Sequence, residues 1–462
     1  MNNGICDSLW LISESQVKKI NADSELDDDI RRFIGEEFLK ETEYNADVLN
    51  DIDKLLDNIG YEWDTLAEEG YMRFRPKAVT VNEATEKYIW NKISRFSDFT
   101  NVPVQRISGG ELYSMNKPEI ARHVDLAVES GMYGTSMYKV MTHDEQVLRF
   151  SACCNKLAIA RETEIEKENL PFGIFEISKS YRYEEKERLR LAERVRCFHL
   201  PELHILNSDI ASAMAVVERA HGFIDSHISE LGFNYIILCS VTAKFFRDNQ
   251  EFITRLSSGL SKPIVVNVVS DEDDMCENGV QFDIEYKAIT SYGGFIEIAT
   301  LQLDDGSTDF SYNVKCGDTP VATIHAVLFA SVERAVFSLA ERAVHNKTEK
   351  GYYDLPFWLS PIQCRIITDR ENDYKQAQAL LNKCGVRYDI DNRKLSIEEK
   401  MIEKDMAIIP FCIIVGEEMK FFDCKRNEYI NKDLFLLTME KLVLPELAVP
   451  SYSSRFLIER YF

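Results

Sequence analysis

The sequence predicts an antiparallel α+β domain followed by a smaller α/β domain. Three observations carry that reading. Two apolar runs, Pro171–Ile177 and Phe198–Leu206, bracket the densely charged Lys179–Arg196, the pattern of an antiparallel hairpin with a solvated tip. Residues 234–315 are rich in strand-like runs. After Pro356, strand and helix patterns alternate over short distances.

Residues 1–70 read as acidic and helical, with apolar residues at three-to-four spacing in Asp27–Lys40 and Ala46–Ile59. Val81–Phe96 reads as an amphipathic helix that stops at the turn-prone Asp98–Pro103. Residues 104–150 mix short strands and helix, and 209–230 form a helix. Strands are expected at Tyr235–Cys239, Pro263–Val269, Gln281–Ile289, Phe295–Leu303 and Asp309–Val314. Val321–Val344 reads as one long apolar-faced helix. The last part alternates through Gln363–Thr368, Glu371–Cys384, Arg387–Asp391, Ile397–Lys404, Ala407–Val415, Met419–Asp423 and Lys432–Leu442. The expected domains are therefore 1–70, 71–354 and 355–462.

Composition excludes several classes. The chain has 462 residues, 45% hydrophobic and 28% charged, enough for two or three cores. Apolar stretches such as Ala407–Gly416, interrupted by Pro410, are too short to span a bilayer. The first residues show no basic, apolar leader, and the 11 cysteines are scattered, as in a reduced, cytoplasmic protein. The net charge is −23, but residues 1–70 alone hold 19 Asp/Glu against 6 Lys/Arg, a net of −13. Residues 355–462 are nearly neutral, with 16 Lys/Arg against 17 Asp/Glu. A local basic face for an anionic partner is therefore compatible with the overall acidity.

Three features carry chemistry. Arg182, Glu184, Arg194 and Arg196 lie among strand residues of the charged hairpin. An arginine facing a cleft suits phosphate or carboxylate, because its planar fork pairs bidentately. A solvated hairpin explains the same charges on composition alone. Arg334, in Ser331–Arg334 (SVER), sits within an apolar pattern and needs an anionic partner, either a ligand or a structural glutamate. Cys153, His204 and His325, the last at the head of the expected long helix, are residue types that ligate zinc. Their spacing has no local signature, so by itself the trio reads as an ordinary core cysteine and ordinary histidines.

Together and in order, these features resemble the class II aminoacyl-tRNA synthetases, specifically archaeal-type threonyl-tRNA synthetases, from about Met72 to Phe462. Tyr71–Lys77 (YMRFRPK) resembles the opening of the catalytic domain. Leu148–Cys154 (LRFSACC) resembles the strand bearing the first zinc ligand. Ser180–Glu184 (SYRYE) through Arg194–Phe198 (RVRCF) resembles motif 2, and Pro201–His204 (PELH) follows it as in the family. Glu297–Asp304 (EIATLQLD) resembles the strand lining the amino-acid pocket, and His325 with Ser331–Arg334 resembles the third ligand and motif 3. Pro356–Gln363, Asp389–Arg393 and Ile409–Gly416 resemble the anticodon-binding domain. Departures accompany the matches. Gly110 stands at the motif 1 proline position, Glu187 and Leu191 replace glycines of the motif 2 loop, Ala330 replaces the glycine before Ser331, and Gly416–Met419 (GEEM) alters the anticodon segment.

The resemblance implies a class II antiparallel sheet flanked by helices, plus a C-terminal anticodon-binding domain. It implies activation of threonine by ATP and transfer to tRNA. Arg182 would bridge the substrate carboxylate and α-phosphate, and Arg334 would serve the γ-phosphate and one adenine face. Phe198 would cover the other adenine face, Glu184 would accept from the adenine amine, and Arg194 would contact phosphates or amino acid. Zinc would be held by Cys153, His204 and His325, with Glu202 and Gln302 on the substrate's ammonium and hydroxyl. Mg²⁺ would accompany ATP, with Glu297 as a candidate ligand. Lys186, Arg188 and Arg190 at the motif 2 tip would meet the tRNA acceptor end. A homodimer is the family's state, which Gly110 puts in question. Residues 1–70 are expected to be no editing domain, so a separate editing protein would be a partner. A paralogue passing an adenylate to another acceptor, or a silent binding module, are the alternatives from other classes.

Overall fold

The structure, a computed structural model, describes residues 8–457 apart from 14–15, 22–23, 42, 130–136, 142–143, 272–278, 308–310, 369–373, 451 and 453–456. Two compact units divide the chain: residues 1–44, 92–188 and 195–332 form one, and 45–91, 189–194 and 333–462 form the other.

The first unit is organised by a ten-stranded sheet. Its strands are β1 (Leu9–Ser13), β2 (Gln16–Lys19), β3 (Val104–Arg106), β4 (Phe172–Tyr181), β5 (Cys197–Asn207), β6 (Tyr235–Thr242), β7 (Ile264–Val269), β8 (Val280–Ile289), β9 (Phe295–Asp304) and β10 (Ala322–Val327). They lie in the order β2-β1-β7-β6-β8-β9-β10-β5-β4-β3. Only β6/β7 and β3/β4 pair in parallel. The mostly antiparallel sheet expected from the motifs is therefore present, and the charged hairpin is β4–β5.

Helix α1 (Asp28–Leu39) begins at Asp27, whose side chain accepts from the Asp29 amide. Its apolar stripe, Ile30, Phe33 and Ile34, packs on Leu9, Ile236, Leu238 and Val265 of the sheet. Residues 1–70 were expected to be helical; their beginning instead supplies β1 and β2, and β1 pairs with β7. Helix α2 (Ala46–Ile59), α3 (Pro76–Thr100) and α4 (Cys153–Glu162) follow. Helix α5 (Ile210–Glu230) starts with a reciprocal cap between Asp209 and Ser212. Its buried His221 contacts the Tyr286 hydroxyl at 2.5 Å, and burial lowers that imidazole to about 4. This histidine is a structural, neutral one.

Two expectations are corrected. Val321–Val344 is not one helix: β10 pairs on both sides, and α7 (Val332–His345) starts only after Ala330. A central strand buried on both faces reads as a continuous apolar run, which sequence periodicity cannot separate from helix. Residues 234–315 also contain α6 (Ala243–Leu260), hidden by a kink at Asn249, whose side chain donates to the Phe245 carbonyl. The expected strand Asp309–Val314 lies partly outside the described residues, and Tyr312 and Asn313 adopt left-handed backbone instead.

The second unit contains α2, residues 76–91 of α3, most of α7 and a five-stranded sheet. That sheet has the order β12-β11-β13-β14-β15, from β11 (Cys364–Thr368), β12 (Tyr388–Asp391), β13 (Phe411–Val415), β14 (Met419–Asp423) and β15 (Glu428–Ile430). Helices α8 (Lys375–Cys384) and α9 (Lys432–Leu442) add Leu381, Phe435 and Met439 to its core. Within this core the Arg365 guanidinium pairs bidentately with Asp389 at 2.9 and 2.8 Å, both side chains fully buried. Among the described residues no helix is long and apolar enough to cross a membrane.

Ala330 has φ 39° and its amide donates to the Ile298 carbonyl at 2.7 Å. An alanine held in left-handed backbone is strained where glycine is not. Ala330→Gly is therefore expected to stabilise the chain by about 1 kcal/mol. Denaturant unfolding checks it; a less stable variant would show that Ala330 is relaxed in its turn.

Candidate functional site

Four neighbouring strands place a row of polar side chains at one level of the large sheet. His204 on β5 lies opposite His325 on β10. His325 lies opposite Gln302 on β9, and Gln302 opposite Asp283 on β8. Directly paired residues share a face of the pleat. The row is thus fixed by backbone register, before any side chain chooses a rotamer.

Cys153 reaches this row from the first residue of α4, not from a strand as expected. Its amide donates to Ser151 Oγ at 3.2 Å. The preceding Arg149 anchors the segment: its guanidinium donates to the Lys179 carbonyl and pairs with Glu176 at 2.9 Å, both side chains buried. Cys153 Sγ then lies 3.3 Å from His204 Nε2 and 3.7 Å from His325 Nδ1. Sulfur–nitrogen edges of a zinc tetrahedron are about 3.6 Å, from Zn–S of about 2.3 Å and Zn–N of about 2.0–2.1 Å. Cys153, Glu202, His204 and His325 are all buried, and their ligand atoms lie within 4.8 Å of one another. One thiol and two imidazoles are a zinc donor set.

In the metal-free protein the surroundings act on the two histidines in opposite directions. Burial, with Lys156 and His325 nearby, holds the His204 ring well below the usual histidine range, so it is neutral, the ligating form. Its Nδ1 is buried without a hydrogen-bond partner. Burial opposes charging of His325, but the Asp304 carboxylate and Cys153 outweigh it and raise the ring to about 10. His325 Nε2 faces Asp304 Oδ2 at 3.5 Å, leaving Nδ1 toward the thiol. Asp304 is itself held by Ser311 Oγ and the Gly306 amide. This carboxylate–imidazole arrangement orients a metal-binding histidine. Cys154, the adjacent thiol, is pushed up to about 12 by burial and stays protonated.

Glu202 joins the cluster through Lys156, whose ammonium is 3.1 Å from its carboxylate and fully buried. Burial favours the neutral acid, but Lys156, His325 and Arg182 more than offset it and hold Glu202 below the usual carboxylate range. Sequence reasoning missed Lys156, Asp304 and Asp283. Asp304 lies in the quoted Glu297–Asp304 motif, and Lys156 sits on the helix turn after Cys153, so position alone offered a signal.

Beside this cluster stands the arginine end of the hairpin. Arg182 Nε donates to the Phe150 carbonyl at 3.1 Å, and its guanidinium lies 5.3 Å from the Phe198 ring centre. Arg196 covers Tyr183 at 4.0 Å and donates to the Glu184 carbonyl. On β8 and β9, Lys287 pairs with Glu285 at 2.9 Å and stands 3.8 Å from Glu297. Burial and the neighbouring Glu297 raise Glu285 to about 8.

The loop residues divide differently from expectation. Lys186 and Arg188 are exposed on a short 3-10 turn, whereas Arg190 is half-buried and pairs with Glu193 at 2.9 Å. Arg190 and Arg194 exchange backbone hydrogen bonds around a turn in which Ala192 takes φ 62°. Glu187 and Leu191, which stand for the family's glycines, are not in left-handed backbone. In the second unit, Arg334 Nε donates to the Glu193 carbonyl at 3.2 Å. At Gly110 a Cβ would meet no atom within 4 Å, while at Gly109 it would meet Asn155 Nδ2 at 1.8 Å, so steric need falls on Gly109.

The family profile described as tRNA synthetase class II core domain (G, H, P, S and T) matches residues 138–343, and that of the anticodon binding domain matches 363–421. A threonine–tRNA ligase of Pyrobaculum arsenaticum is 30% identical over 372 residues, covering 79% of this chain and 59% of that one. One of Caldivirga maquilingensis is 28% identical over 407 residues, covering 85% and 63%. The chain thus spans about three-fifths of the length of these relatives. Among solved structures, the RNA binding domain of threonyl-tRNA synthetase from Cryptosporidium parvum superposes with a TM-score of 0.67 at 17% identity, covering 87% of this chain and 99% of that one. Prolyl-tRNA synthetase from the same organism, complexed with L-proline and AMP, gives 0.61 at 14%, covering 86% and 79%. Those two likenesses are of fold.

The buried Lys156–Glu202 pair yields a stability test. Lys156→Met strands a buried carboxylate and is expected to cost about 3–5 kcal/mol. The double change Lys156→Met with Glu202→Gln is expected to recover much of it in denaturant unfolding; no recovery would assign the loss to packing. Because the folded Glu202 carboxyl titrates below its ordinary value, the pair stabilises fully above that ordinary value. The contribution fades as pH falls through the depressed one, so the penalty of Lys156→Met should shrink in acid.

Proposed function

We propose that this chain, which belongs to the class II aminoacyl-tRNA synthetases, activates threonine with ATP and transfers it to tRNA. The observation that carries the reading is the meeting of Cys153, His204 and His325 beside Glu202 and Gln302. The names of the similar ligases and the anticodon-binding match support the choice of amino acid and acceptor.

Activation brings together two anions, a carboxylate and a triphosphate, so fixed cations must meet them. Arg182 takes the carboxylate and α-phosphate, with Phe198 beside it for the adenine ring and Glu184 for the adenine amine. Arg194 and Arg334 serve the phosphates. Mg²⁺ accompanies ATP; Glu297 is the carboxylate proposed for it, although Lys287 already shares that charge. Cys153, His204 and His325 would hold zinc, which would supply a Lewis-acidic centre for the substrate's amino and hydroxyl groups. Glu202 and Gln302 orient those same groups. A site completed by a hydroxyl rejects valine strongly, but it tests weakly for one methyl, which is worth only about 1–3 kcal/mol. β1, β2 and α1 add to the large sheet and its core, and we assign them that structural role rather than editing.

Pyrophosphate exchange across all twenty amino acids tests the reading. Threonine is expected to support it best, serine detectably and valine far less; exchange with another amino acid alone would overturn the assignment. Metal analysis of chelator-washed protein is expected to find one zinc per chain, and His325→Ala to lose zinc and exchange together while the fold survives. The exposed Lys186 and Arg188 give a separate outcome. Changing both to Ala is expected to weaken tRNA charging and flatten its salt dependence while exchange stays nearly intact. Equal loss of both activities would assign the loop to ATP.

A further inference from the structure

Asp283 has no role in the reading above, yet it lies at the end of the row that holds the metal cluster. Its two oxygens are both engaged from β9: Oδ1 accepts from Thr300 Oγ1 at 3.0 Å and Oδ2 accepts from Gln302 Nε2 at 2.9 Å. Gln302 stands between Asp283 on one side and His325 on the other. An amide nitrogen and oxygen look alike in shape, but a carboxylate can only accept. The NH₂ of Gln302 must therefore face Asp283, and its carbonyl oxygen is the end left for the neighbouring subsite.

We propose that Asp283 is a positioning residue for amino-acid selection: it locks the Gln302 amide so that the subsite beside His325 presents an acceptor and takes a hydrogen-bond donor, the substrate's hydroxyl or ammonium. This rests on the functional reading above and deepens it. Thr300 holds the other carboxylate oxygen, so Asp283 cannot swing away without breaking a second bond. Burial pushes the Asp283 carboxyl up to about 6, against the hydrogen bonds from Gln302 and Thr300, so above neutral pH it remains the ionised, acceptor-only form. Without it, Gln302 turns freely and offers NH₂ as readily as C=O, and an ammonium or hydroxyl proton then meets a donor half of the time.

The test compares wild type, Asp283→Leu, Asp283→Asn and Thr300→Val in threonine-dependent pyrophosphate exchange, with KM for threonine and for ATP measured separately and thermal unfolding recorded. Asp283→Leu is expected to raise the threonine KM about tenfold or more, with the ATP KM within about twofold. Asp283→Asn keeps one amide oxygen for Gln302 and should fall between it and wild type. Thr300→Val, which preserves shape, should raise the threonine KM about two- to threefold with ATP unaffected, and it carries the test if Asp283→Leu does not fold. An unchanged threonine KM in the folded variants, or threonine and ATP KM rising together, overturns the inference while leaving the functional reading in place. A wild-type chain with no threonine-dependent exchange overturns both, and shows it before any variant is made.

Discussion

Strand register is the constraint on which the site depends. His204, His325, Gln302 and Asp283 come from four strands spread over more than a hundred residues, yet each is the direct pairing partner of the next. A one-residue slip in any of these ladders would turn a member to the opposite face, since side chains alternate with period two. The register is fixed because the opposite face carries Tyr286, Ile284, Leu303 and Ile324, which are buried and would be turned onto the polar face by the same slip. The polar row is thus held in place by the apolar residues behind it.

Electrostatics follows from that placement. The site is rich in buried carboxylates, and burial alone would neutralise them. A cation pairs with the carboxylate at three positions: Arg149 with Glu176, Lys156 with Glu202 and Lys287 with Glu285. The outcome differs with the balance at each pair. Lys156 keeps Glu202 anionic, whereas Glu285, with Glu297 as a second acidic neighbour, is raised to about 8 despite Lys287. The buried carboxylates of the site are therefore balanced one pair at a time, and net charge says little about the state of any of them.

Much of this was legible in the sequence, and the failures have physical causes. The hairpin β4–β5 was readable because its apolar runs and charged connection differ sharply. The trio Cys153, His204 and His325 was legible only through the ordered motifs around it, since three residues brought together by sheet pairing leave no spacing signal. His325 was assigned to a helix because β10 is buried on both faces and its Ala-rich run continues into α7. For Lys156, Asp304 and Asp283 position offered at most a hint, because their role lies in what they touch: a lysine on a helix and aspartates in strands are ordinary until a partner is seen. In the motif 2 loop the left-handed residue is Ala192, not Glu187 or Leu191.

The short strands at the beginning of the chain have a consequence for solubility. β7 reads Ile264–Val269, IVVNVV, six residues of high β-propensity with no charge and no proline, the composition of a segment that zips to its own copies. In the folded protein one side of β7 is taken by β6 and the other by β1. The exposed border of the sheet is passed on to β2, a four-residue strand carrying Lys18 and Lys19 that is mostly solvated. Short, lysine-bearing borders resist pairing with another molecule. β1 and β2 thus act as a gatekeeper: without them the sheet would end on a bare, uncharged strand, and the chain would gain a template for self-association.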